Sequence, residues 1–180
     1  FEVIGRIAES LHWLGEADEL APDAMYDLRR GQLLVMTGDR AGARHAWARY
    51  ITRRMVRRGI STTLRSRPKR PTLEAVVEVA ELWVQARSPE EALRTLRDAF
   101  DAYGESPLLV VTEARHLIRA GRIELGLIRA ERVAGSFKQA PLSAVSALVD
   151  ALLERDRHAE VADLLEAGDV SQWNHELGLV

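Results

Sequence analysis

Ala92, Gly126 and Val161 stand 34 and 35 residues apart, each just inside the second of two successive amphipathic stretches. A period of that size, made of two helices of about 14 residues and short turns, marks helix pairs that stack on one another. Ala43 precedes Ala92 by 49 residues. Against a period of about 34, some 15 residues are therefore inserted between the first unit and the second. Apolar residues recur at helical spacing almost throughout, and no period-2 segment is bounded by hairpin turns. Leu108-Leu109-Val110-Val111 could pass for a buried strand, but it follows Ser106-Pro107 and runs on into Ala114, Leu117 and Ile118, which extends a helix.

The boundaries are marked by punctuation residues. Ser88-Pro89-Glu90-Glu91 has the form of a capping box with proline at the first helical position. Ser106-Pro107 repeats the cap-then-proline order, and Pro22, Pro71 and Pro141 open further apolar runs. Gly38, Gly121 and Gly168 fall just after such runs, where a left-handed stop is needed. These signals predict helices at 22–37, 39–58, 71–86, 89–102, 107–120, 122–135, 141–155 and 157–167, with an earlier one near 2–19. A helix pair cannot bury its apolar face alone, so the pairs are expected to stack and leave a groove. Trp47, Trp83, Leu96 and Leu117 read as packing between helices.

At this point the chain resembles the tetratricopeptide repeat family. In the first unit Gly31 stands where the family has its small residue, and Asp39-Arg40-Ala41-Gly42-Ala43 opens the second helix, with Trp47 and Tyr50 at packing positions. Ala80, Trp83, Ala92, Leu96 and Ala99 follow the same small–large alternation, then Ala114, Leu117, Gly121, Gly126 and Ala130, then Leu148, Leu152, Val161 and Leu165. The resemblance covers about residues 22–168 and implies an all-α fold, antiparallel helix pairs stacked as a TPR-like α-solenoid. One domain over 1–180 is expected, with units at 22–58, 73–104, 107–138 and 141–168 and a basic insertion at 59–72. Arg30 and Glu113 depart from the family pattern, occupying positions usually filled by large apolar residues. Val149 and Val161 replace small ones, and the terminal prolines arrive late as Pro107 and Pro141.

The resemblance also implies a groove-facing side with Gln32, Met36, Glu81, Gln85, Arg115 and Arg119, continued by Asp150 and Glu154. Mixed charge of this kind fits a protein or peptide partner. The carboxylate clamp known in the family needs paired asparagines in the groove, and Asn174 is the only asparagine here.

Charge adds a second possibility. The net charge of -2 conceals an asymmetry: no Asp or Glu occurs from Arg40 to Leu73. Within that window Arg53, Arg54, Arg57, Arg58, Arg65, Arg67, Lys69 and Arg70 form a candidate basic patch, and Arg53, Arg54, Arg57 and Arg58 share one side of a helix. Guanidinium groups favour phosphate and carboxylate oxygens. Nucleic acid or an anionic glycan is therefore an alternative ligand. Against that, no aromatic residues interleave with these arginines to stack bases, and the overall pI is about 6.3. An acidic sister domain or a second copy could dock there instead.

No motif for catalysis emerges. Phosphate loops, His-Glu-x-x-His and Gly-x-Ser-x-Gly are absent, and His12, His45, His116, His158 and His175 lack paired metal-ligand spacing. Glu113 and His116 share a helix face at i, i+3, without a third partner in view. With no cysteine, thiolate sites are excluded and a reducing, cytoplasmic setting is expected. No membrane span is expected, because uninterrupted apolar runs are far too short. Phe1 is not an initiator Met and no signal peptide is seen, so a fragment or processed chain is expected. The repeat period with no catalytic motif suggests one module of a larger bacterial protein. The expected function is a non-catalytic protein–protein interaction scaffold without cofactor or metal. The alternatives are polyanion binding or a regulatory repeat domain of a bacterial transcription regulator or glycosyltransferase.

Overall fold

The computed structural model describes residues 2–54 and 72–167, and among them every regular element is helical. Two compact units divide the chain, Phe1–Ala86 and Arg87–Val180. The first contains α1 (Glu2–Leu20), α2 (Ala24–Met36), α3 (Arg40–Arg54) and α4 (Leu73–Gln85). The second contains α5 (Pro89–Tyr103), α6 (Pro107–Arg119), α7 (Ile123–Glu131), a 3-10 helix (Ala134–Gln139), α8 (Leu142–Leu153) and α9 (His158–Ala167).

The expected helices are present, with two differences. The helix expected over 122–135 stops at Glu131, and the tighter 3-10 turn that follows carries Phe137 into the core of the second unit. The predicted capping box is incomplete. Pro89 does occupy the start of α5, but the Ser88 hydroxyl makes no capping bond there. Ser106 does cap α6, accepting from the Leu109 N–H at 3.3 Å. Residues 55–58 of the expected third helix and Gly168 lie outside the described residues.

Gly38 and Gly121 terminate α2 and α6 in the left-handed region, each at φ 82°. Both turns close alike. Gly38 N–H donates to Val35 O at 3.0 Å and Asp39 N–H to Leu34 O at 2.9 Å. Gly121 N–H donates to Ile118 O at 3.0 Å and Arg122 N–H to Leu117 O at 2.9 Å. These paired bonds satisfy carbonyls the helix would otherwise leave open. After α8 the same pair recurs on a non-glycine: Asp156 (φ 58°) donates to Leu153 O at 3.0 Å, and Arg157 to Leu152 O at 3.1 Å. Arg87, at φ 55°, precedes α5. Gly104, at φ 79°, ends α5; the other four positions of positive φ, 38, 87, 121 and 156, are spaced 49, 34 and 35 residues apart, the intervals of the aligned small residues.

In the first unit α1 packs on α2, α2 on α3, and α3 on α4. Trp47 and Trp83 meet edge to face, with ring centroids 4.5 Å apart at 87°, and with Leu28, Tyr50, Val76 and Val79 they fill the core. The α2–α3 crossing is close because Gly31 has no side chain. A Cβ there would collide with the Trp47 indole, whose Nε1–H donates to Leu28 O at 3.0 Å. In the second unit α6 is central, packing against α5, α7 and α8, with α9 on α7 and α8. Gly126 repeats the device, its missing Cβ leaving room for Ile118 Cγ1 at 2.6 Å and Ala114 O at 2.8 Å. Trp47, Trp83, Leu96 and Leu117 are all buried, as their spacing predicts.

A ladder of ion pairs joins the starts of the second unit's alternate helices. Arg122, the N-cap of α7, reaches Glu90 near the start of α5 at 2.7 Å. Arg157, preceding α9, reaches Glu124 near the start of α7 at 3.1 Å. The two rungs span 32 and 33 residues.

Candidate functional site

The second unit has a groove of about 530 Å³ between α5, α6 and α7. Its floor is Leu117 and Glu113 of α6, α7 contributes Leu125, Ile128 and Arg129, and Arg132 follows at the α7 C-cap. α6 is buried on nearly every side, so its one carboxylate, Glu113, needs a counter-ion. Arg129 supplies it. Its Nε lies 2.6 Å from Glu113 Oε2, its NH1 lies 2.9 Å from Glu105 Oε1, and its guanidinium stacks 5.1 Å from the Phe100 ring centroid. Arg97 comes within 3.9 Å of the other Glu113 oxygen. The Glu113 side chain is 5% exposed and Arg129 19%, whereas Arg97 is 62% exposed. Leu125 and Ile128, by contrast, turn outward, 54% and 53% exposed.

Glu113 is bound to Arg129, and His116, one turn along the same helix, is buried. Burial, reinforced by the nearby charges of Arg115 and Arg119, pushes the imidazole down to about 3, so it is neutral at neutral pH. Burial, with Arg119 beside it, lowers the Arg115 guanidinium to about 10.

The first unit holds a second cluster. Asp27 on α2 is fully buried, and Arg53 NH1 lies 3.0 Å and Arg49 Nε 3.4 Å from its oxygens. Asp18 at the end of α1 receives the same two arginines at 2.5 Å (Arg53) and 3.0 Å (Arg49). Arg30, the other departure from the family pattern, faces Asp27 at 4.0 Å. The two carboxyls are pushed apart. The Arg53 hydrogen bond lowers Asp18, whereas burial raises Asp27 against the pull of Arg49 and Arg53. Beside them Tyr50 donates to Glu78, and burial together with that bond pushes its phenol up to about 12.

The expected basic patch is thus partly committed elsewhere. Arg53 turns toward Asp18 and Asp27, and Arg54 lies over the Tyr50 ring at 5.9 Å. Arg57, Arg58, Arg65, Arg67, Lys69 and Arg70 lie outside the described residues. Of the expected groove residues, Gln32, Met36, Glu81 and Gln85 belong to the first unit. Met36 and Gln85 are exposed, Glu81 is half-buried, and Gln32 accepts from Arg29 at 3.1 Å. Arg115 and Arg119 belong to the second. There Arg119 meets Glu154 at 3.5 Å, joining two side chains that the repeat spacing places on one face, while Arg155 caps Arg119 O at 2.8 Å. The groove residues Arg97, Leu125, Ile128 and Arg132 were not singled out by sequence. Leu125 and Ile128 read as part of an ordinary apolar stripe, and only the polar Glu113 in an apolar position signals the groove.

Among the described residues no cluster of three or more His, Asp or Glu side chains could hold a metal ion. Among them also, no helix is long and apolar enough to cross a membrane. No protein-family model, curated protein or solved structure matches this chain.

Proposed function

We propose that this chain is a TPR-like helix-pair repeat module of a larger protein and acts as a non-catalytic scaffold that binds a protein partner. The observation that carries this reading is the recurrence of one turn. Left-handed residues at 87, 121 and 156 stand 34 and 35 residues apart, with a longer interval of 49 from 38 to 87, and Gly31 and Gly126 make the close crossings of two helix pairs. Within the second unit the Arg122–Glu90 and Arg157–Glu124 rungs follow that period too. Such arrays present side chains on extended surfaces and bind through them. Commitment of Arg53 to Asp18 and Asp27 favours a protein partner over a polyanion.

Affinity capture from a lysate of the source organism tests this, with and without nuclease and across a salt series. The expected result is a defined protein that survives nuclease and an increase in salt. Capture that is lost with nuclease and falls steeply with salt would replace this reading with polyanion binding. The comparison variant is Arg57→Glu/Arg58→Glu, which changes neither of the arginines that bridge Asp18 and Asp27.

A further inference from the structure

We propose that α1 is a releasable strap over a docking site on α2 and α3, and that the uncovered site takes an acidic helix of the partner, an inference that rests on the scaffold reading. α1 is long, 19 residues, but shallowly seated. Among its described side chains only Ile7 is buried, and Leu11 and Leu14 are half-buried. The Trp47–Trp83 core, with Leu28, Tyr50, Val76 and Val79, is drawn from α2, α3 and α4. A segment with so little apolar burial opens ahead of the core it covers.

Charge holds the strap and gives the sign of what can replace it. From Gly5 to Leu20 the helix carries Glu9, Glu16, Asp18 and Glu19 against one arginine, Arg6. Its last turn contains Asp18 and Glu19 and no base, the wrong sign for a helix C-terminus, so that end depends on the surface beneath it. There Arg53 and, at 3.0 Å, Arg49 bind Asp18, while Arg30 NH2 lies against the Cβ position of Gly15. These three guanidinia meet two carboxylates outside α1: Asp27, and Asp23, whose charge also reaches Arg53. Asp18 therefore brings the cluster to neutrality, and lifting α1 leaves one positive charge in excess. Asp27 keeps Arg53 at 3.0 Å and Arg49 at 3.4 Å, so release strands no buried charge. A carboxylate on an incoming helix can take the place of Asp18 between the two arginines.

Native-state hydrogen exchange on the intact chain reads the release directly. Amides of α1 should exchange ahead of those of α2 and α3, and Asp18→Asn should speed α1 alone by at least fivefold. Ile7→Ala, which alters no charge, should do the same. The probe for the uncovered site is a synthetic peptide of residues 2–20 labelled with fluorescein. Its apparent affinity scales with the fraction of chains in which α1 is released, so each variant should tighten it by the factor by which it speeds exchange. The same peptide carrying Asp18→Lys should bind at least tenfold more weakly to both variants. Exchange of α1 only in step with α2 and α3, no binding of the peptide, or equal binding of its Asp18→Lys form would overturn the proposal. A partner captured equally by the parent and by Asp18→Asn, with no peptide bound, would leave the scaffold reading standing and remove only this site.

Discussion

The indole of Trp47 lies directly on the backbone of Gly31, its Nε1–H donating to Leu28 O at 3.0 Å. Glycine in a helix interior normally costs about 1 kcal/mol relative to alanine. Here the sign reverses, because a Cβ at Gly31 would collide with a buried indole wedged against Trp83. Gly31→Ala is expected to lose about 1–3 kcal/mol in urea unfolding. Gly126→Ala should lose a similar amount, since one of its two closest contacts is the Ala114 backbone oxygen at 2.8 Å, which cannot rotate away.

Glu113 and Arg129 form an ion pair that must be removed together. Arg129→Met alone should cost about 2–4 kcal/mol, because it strands a carboxylate that is 5% exposed. Glu113→Leu/Arg129→Met should recover most of that loss and come within about 1 kcal/mol of the parent. Chemical denaturation of the two single variants and the double variant reads the coupling, and additive losses would contradict it.

His116 should make the fold acid-sensitive above the range where carboxylates titrate. Its folded value of about 3 lies below its ordinary 6.5, so the unfolded chain takes the proton first. Stability is complete above pH 6.5 and is lost as pH falls toward 3. Between pH 6.5 and 5 the loss from this residue is about 2 kcal/mol. Urea midpoints for the parent should fall across that window, and those of His116→Gln should stay nearly level.

Of the two carboxylates around Arg53, the less buried one should matter more at pH 7. Asp18→Asn removes a carboxyl whose charged form is favoured by Arg53 and should cost about 1–3 kcal/mol. Asp27→Asn should cost less, because burial already favours its neutral form. On acidification the stabilisation from Asp18 is lost as pH falls through its lowered value, while protonation of Asp27 works in the opposite direction. Arg53→Glu should be worse than either, as it places a third carboxylate beside both.

Much of the fold was legible because the determinants are local: prolines at 89 and 107, glycines at 38 and 121, and apolar residues at helical spacing. What was not legible depends on long-range contacts. Asp156 and Arg87 take left-handed turns that sequence assigns only to glycine, and Phe137 draws the chain out of α7 into a 3-10 turn. The groove escaped notice for the same reason. Glu113 was visible as a polar residue in an apolar position, but its partner Arg129 is 16 residues away on the next helix. Arg53 was misleading in the other direction: in sequence it belongs to a basic run, whereas in space it belongs to Asp18, 35 residues earlier.

The rungs Arg122–Glu90 and Arg157–Glu124 give the second unit a direction. The segment between Gly121 and Asp156 offers a cation backward, Arg122, and a carboxylate forward, Glu124, like a monomer with two unlike ends. A duplicated stretch spliced between Gly121 and Asp156 would arrive with both ends in the right order, and the array could lengthen by copying without new surface chemistry. At α9 the forward position is Ala159, so a segment added there would find no carboxylate waiting.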